Sequence, residues 1–280
     1  MMCLRWVCRH PLLGYFALTY GISWGGILIV LGARGFDLTV LRPQDTGLIF
    51  VAMLLGPSIA GLTMTALMEG RAGLHELGSR LLRWRVALRW YLFALLTFPV
   101  LLLAVMWFFS LFVDSAFAPR FQWPLLAIGL VAGAFEEIGW TGFASPRLLS
   151  RQSPLMAGLS LGLVWATWHG LVDFRQNFSA MGAAWVVWLL QFAVLYLAIL
   201  TAYRILMTWM FAQTGSLLLA VLMHASYTGW LFALFSATSF EQSLVWQTTL
   251  AAALWLAVAV VIGVFGRRWH PRSDGERWRG

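Results

Sequence analysis

Gly129–Arg147 reads GLVAGAFEEIGWTGFASPR, and the fold class turns on how its two adjacent carboxylates, Glu136 and Glu137, are accommodated. They sit in the middle of an apolar run that begins at Leu125. A charged group well inside a lipid-length segment is costly, and such groups face a protein interior or a water-filled cavity. With Arg204 assigned to the end of its segment, the only other ionisable groups well inside apolar runs are His169 and His224. Two glutamates and two histidines on three separate segments form the constellation to be explained.

The rest of the chain fixes the class. Of its 280 residues, 61% are hydrophobic and 11% charged, whereas soluble domains average about 25% charged. Long apolar runs recur, so the fold class is an all-α polytopic membrane protein of about eight transmembrane helices. The expected spans are Leu12–Leu31, Leu48–Met68, Tyr91–Val113, Leu125–Phe143, Leu155–Val172, Ala183–Tyr203, Ser216–Phe235 and Leu244–Phe265. Between the second and third, Arg71–Trp90 interleaves arginines with Leu and Trp and reads as an amphipathic helix in the membrane interface. Gly56-Pro57 predicts a kink in the second span, tolerable where a neighbouring helix takes up the freed carbonyl. Residues 1–11 are expected to form a cytoplasmic leader, 12–266 a single transmembrane domain with its core motifs in 125–230, and 267–280 a basic cytoplasmic tail.

The formal charge of +8 comes from arginine alone, without lysine. These arginines border the spans, which points to a lipid bilayer as the partner and excludes nucleic acid. Arg71–Arg89, Arg147, Arg151, Arg204 and the two termini fall on one side; Arg34, Arg42, Arg120 and Arg175 fall on the other among Asp37, Asp45, Asp114, Asp173 and Glu241. Positive charge marks the cytoplasmic side, so a multi-pass cell-membrane protein with both termini cytoplasmic is expected. Asp173 and Arg175 read as loop charges. Cys3 and Cys8 lack partners at metal spacing and read as free thiols.

Helical geometry sorts the candidate groups. Neighbouring residues point about 100° apart, so Glu136 and Glu137 face different surroundings. Residues four apart share a face, which pairs Glu137 with Thr141, Trp165 with His169 and His224 with Thr228. Gly129/Gly133 and Gly158/Gly162 would let the fourth and fifth spans approach closely, and Gly21/Gly25 would do the same for the first. A histidine late in the fifth span, His169, lies far from the cytoplasmic side.

FEEIGWTGF followed by Pro146-Arg147-Leu148, then Trp165 to His169, then His224 to Thr228, resembles in order and spacing the three motifs of the CPBP family of intramembrane proteases. This family is also known as the Abi or type II CAAX prenyl endopeptidase family. The resemblance implies hydrolysis of a peptide bond in a membrane-anchored or membrane-proximal substrate. It makes Glu136 the base that activates water, Glu137 an orienting group, and His169 and His224 the groups that hold water or stabilise an oxyanion. Members are called intramembrane metalloproteases, though a glutamate-only mechanism is also argued. Glu136, His169 and His224 are the candidate ligands of a divalent metal such as zinc. Two positions depart from the pattern: Thr141 stands for the motif Arg and Thr228 for the motif Asn. Without a cation at 141, Glu137 is expected to be largely neutral, unless another arginine, Arg204 foremost, fills the vacancy. The departures also leave room for a catalytically weakened member acting as a bacteriocin-immunity or scaffold protein. A proton-coupled transporter using the Glu pair as a relay is a third reading.

Overall fold

A computed structural model describes residues 9–37, 40–173, 185–235 and 238–265. The leader cysteines, Arg175 and the basic tail lie outside the described residues. The chain is an all-α bundle, with α1 Pro11–Gly32, α2 Pro43–Leu81, α3 Leu88–Phe112 and α4 Leu126–Gly139. A π-helical stretch, Trp140–Ala144, joins α4 to the short α5 Ser145–Leu149. Then follow α6 Pro154–Trp168, α7 Trp185–Phe192, a second π stretch Ala193–Leu200, α8 Thr201–Thr214, α9 Leu217–Ala233 and α10 Phe240–Phe265. Among the described residues, seven helical runs are long and apolar enough to cross a membrane. The remaining expected span, the seventh in chain order (α9), has only 17 residues. Its length of about 25 Å falls short of a hydrocarbon core of about 30 Å. Most of α9 is buried by other helices, so its length is set by protein contact more than by lipid thickness.

The expected interfacial helix is present in part. α2 departs from helical geometry at Gly70 (φ 62°), and a new helical direction runs from Arg71 to Leu81. Positive φ is open to glycine at little cost, which lets the chain turn there. Residues 82–87 are not helical, so the segment is shorter than Arg71–Trp90.

Pro57 lies inside α2 and Pro99 inside α3, and each frees the carbonyl four residues before it. In α2, Pro57 frees Met53 O, which accepts a hydrogen bond from Ser23 Oγ of α1 at 2.8 Å. In α3, Pro99 frees Leu95 O, which accepts from Ser226 Oγ of α9, also at 2.8 Å. Both bonds tie one helix to another where lipid offers no donor.

The glycines do bring helices together, but with other partners than the spacing suggested. A Cβ at Gly129 would stand 2.2 Å from Ala225 O, and one at Gly133 2.6 Å from Val221 O, so α4 packs on α9. Cβ atoms at Gly158 and Gly162 would meet Ile205 and Thr201, so α6 packs on α8. Gly21 and Gly25 face open space; the close contact on α1 is Gly26 against Ala52. Periodicity reveals that a face is small without revealing what covers it. At the end where α4 starts and α9 finishes, Arg120–Phe121 (β1) pairs antiparallel with Leu234–Phe235 (β2) and ties two loops.

Replacing Ser23 and Ser226 together by Ala leaves two carbonyls without these donors. Interhelical bonds of this kind contribute about 0.6–1.7 kcal/mol each, so thermal unfolding in detergent should begin several degrees lower. An unchanged melting curve would mean that water or relaxed geometry satisfies the carbonyls.

Candidate active site

α4 brings Glu136 and Glu137 into the bundle one turn above the π stretch. The packing of α4 on α9 sets His224 beside them, and α6 delivers Trp165 from the other side. The two carboxylates have separate surroundings, as their angular spacing requires. Glu137 is wholly buried. Its Oε1 accepts from His224 Nδ1 at 2.6 Å and from Arg204 Nη2 at 2.8 Å. Its Oε2 accepts from Arg204 Nη1 at 2.8 Å and from the Thr141 hydroxyl.

Arg204 is the group that the sequence misplaced. Assigned to an inner segment end, it lies instead in α8 with no exposed surface. A guanidinium keeps its proton in proteins, and burying it requires a counter-charge. The two parallel bonds to Glu137 supply one in a geometry suited to a carboxylate. The expectation of a neutral, partnerless Glu137 therefore gives way to its alternative, an arginine reaching the same oxygens from another helix. Arg147 is no substitute: it donates to Phe143 O and pairs with Glu69.

Trp165 joins this pair to the second carboxylate. The Arg204 guanidinium lies 3.8 Å from the centroid of the Trp165 ring, an attractive cation–π arrangement. The same indole donates Nε1–H to Glu136 Oε2 at 2.8 Å. The free oxygen, Glu136 Oε1, faces His224 Nε2 at 3.8 Å, too far for a direct bond. His224 gives its Nδ1 proton to a carboxylate, so in its neutral form Nε2 carries a bare lone pair. His169 is fixed in the same sense: Nδ1 lies 2.9 Å from Trp165 O, and a carbonyl can only accept, which leaves Nε2 bare. Its ring packs against Tyr196, centroids 5.1 Å apart.

Glu136, Trp165, His169, His224 and Thr228 line one cavity of about 420 Å³ with mostly apolar walls, whereas Glu137 and Thr141 lie behind it. The second span and the π stretch before α8 also contribute walls, through Met53 and Tyr196 among others. Asp173 is not a loop charge: it is buried and accepts from Trp188 Nε1 at 2.6 Å. Among the described residues no three His, Cys, Asp or Glu side chains are grouped closely enough, as arranged, to hold a metal.

Fold and site together define a multi-pass α-helical membrane protein with a carboxylate–histidine centre inside the bundle. Residues 117–230 match the family described as Rce1-like, type II CAAX prenyl endopeptidase. The chain is also similar to "CAAX prenyl protease 2" of Methanococcus maripaludis, 30% identical over 105 residues. That match covers 36% of this chain and 37% of the relative, so it spans little more than a third of the relative's length. The family match falls on the part of the chain that carries the site.

Removing one member of a buried ion pair costs about 3–5 kcal/mol, and Arg204→Ala should lower thermal stability accordingly. Thr141→Arg alone should also destabilise, because it adds a second guanidinium to filled space. Thr141→Arg in the Arg204→Ala background should recover much of the loss, since position 141 is one helical turn from Glu137. A double variant no more stable than Arg204→Ala would show that position 141 cannot supply the counter-charge.

Proposed function

We propose that the chain is an intramembrane endopeptidase that hydrolyses a peptide bond in a membrane-anchored or membrane-proximal substrate, with Glu136 as the base. The observation that carries this reading is the 3.8 Å gap between Glu136 Oε1 and His224 Nε2 at the floor of an apolar cavity. A water donating one hydrogen to each of the two atoms turns its lone pairs toward the cavity. Glu136 takes a proton as the water oxygen attacks the scissile carbonyl carbon. When the C–N bond breaks, the same carboxyl returns that proton to the leaving amine, so the base is regenerated.

The remaining groups hold this geometry. Glu137 fixes the His224 ring through Nδ1, and Arg204 fixes Glu137. Trp165 holds the second oxygen of Glu136. His169, which lines the same cavity, takes part in proton transfer or, once protonated, in stabilising the oxyanion. Thr228 lines the wall beside it. The arginine that completes the carboxylate pair from α8 weakens the case for a degenerate scaffold, because the vacancy at 141 is filled in space. The working unit is residues 12–266, set in the cell membrane with both termini cytoplasmic.

Glu136→Gln should keep the fold, because the amide oxygen can still accept from Trp165, and should reduce turnover about 10²–10⁴-fold. The readout is a comparison of membrane peptides from cells carrying either protein, beside the melting temperatures of both. Full activity in a folded Glu136→Gln variant would remove the proposed base, and failure to fold would mark Glu136 as structural.

A further inference from the structure

The direction in which the cavity opens and the side on which the arginines lie are independent observations. The cavity reaches the bundle surface beside Thr46 in the first turns of α2 and beside Leu231 and Phe232 in the last turn of α9. Val172, just beyond α6, and Ile128, in the first turn of α4, belong to the same end of the bundle. Thr46 and Phe232 are exposed there. The floor, at Glu136 and His224, lies roughly 10–12 Å below this rim, since it is about seven or eight residues down α9 and α4. Toward the opposite end the way is closed: Thr141, Phe143 and Leu217 are buried, and Gly142 packs against Leu77 and Leu217.

The closed end carries the arginines. Arg71, Arg80, Arg83, Arg85 and Arg89, with Arg147 and Arg151, surround it against Glu69 and Glu76. At the open end, Arg34, Arg42 and Arg120 are outnumbered by Asp37, Asp45, Asp114 and Glu241. Among these, Arg34 and Asp45 pair with each other through two bonds. Arginine-rich ends stay on the cytoplasmic side during insertion.

We propose that the cavity opens to the extracytoplasmic face, and that the substrates are peptides presented there. An apolar group of the peptide, a lipid chain or a run of hydrophobic side chains, enters among Phe50, Met53, Ile128 and Leu231 from the outer leaflet. The scissile bond then descends to Glu136. A polypeptide confined to the cytoplasm does not reach the rim. The substrate statement rests on the proposed hydrolytic site, whereas the direction of opening does not.

The test is cysteine accessibility in the full chain with its two native cysteines replaced, Cys3→Ser and Cys8→Ser. Thr46→Cys and Phe232→Cys report the rim, and Arg85→Cys and Ser150→Cys report the closed end, where residues 85 and 150 are both exposed. A membrane-impermeant biotin maleimide is applied to intact cells and to permeabilised ones. The expected result is labelling of both rim cysteines in intact cells and loss of labelling at 85 and 150 until the membrane is opened. The reverse pattern overturns the proposal, and so does equal labelling of both sets in intact cells. Rim cysteines that stay unreactive in permeabilised cells, while 85 and 150 react, would show that the cavity has no aqueous mouth and would overturn it too. Introducing Glu136→Gln separates this question from catalysis: an inactive protein labels in the same pattern, so a failed protease assay leaves the orientation decided.

Discussion

The buried pair between Arg204 and Glu137 is the constraint on which the centre of the molecule depends. A guanidinium without solvent needs a carboxylate, and this one has both oxygens of Glu137. Once Glu137 is committed, its remaining capacity goes to His224 Nδ1, and the ring is turned so that Nε2 faces Glu136. The same guanidinium rests on Trp165, whose indole N–H orients the other carboxylate. One ion pair thus determines the orientation of three side chains around the cavity. None of them needs a flexible loop to hold it.

Proline and glycine hold the scaffold in complementary ways. Glycine removes side-chain bulk where α4 meets α9 and α6 meets α8, and so permits backbone approach. Proline removes a backbone donor, and serine from the next helix replaces it at Met53 O and Leu95 O. In lipid a carbonyl without a donor is expensive, so each proline also specifies which neighbour must lie alongside. The two devices meet at the centre, because α9 supplies both the surface for Gly129 and the hydroxyl of Ser226.

Much of this was legible in the sequence. Hydropathy marked the spans, and the cost of charge in lipid singled out Glu136, Glu137, His169 and His224. Helical spacing separated the two glutamates correctly and put Thr141 against Glu137. What periodicity could not supply was the identity of partners. It found the small faces of α4 and α6 but assigned them to each other, while each packs on a later helix. It left Arg204 at a segment end, because a charge near a span boundary is indistinguishable from a topology charge until its neighbours are known. It read Asp173 as a loop charge, since Trp188, its hydrogen-bond partner, lies 15 residues further along the chain. The π stretches were also invisible, because a wider turn changes register without a distinctive composition.

The placement of the cation on a different helix from its carboxylate has a consequence for biogenesis. An arginine at position 141 would leave the ribosome almost together with Glu137 and enter the bilayer already paired. Here the partner follows 67 residues later. At about 5–20 residues per second, the fourth span waits roughly 3–13 s with Glu137 lacking its cation. During that interval the helix belongs in a hydrated or protonated setting beside the insertion machinery rather than in lipid. Release of the fourth span into the bilayer is then tied to the arrival of the sixth, so the centre of the bundle assembles as one late step instead of span by span.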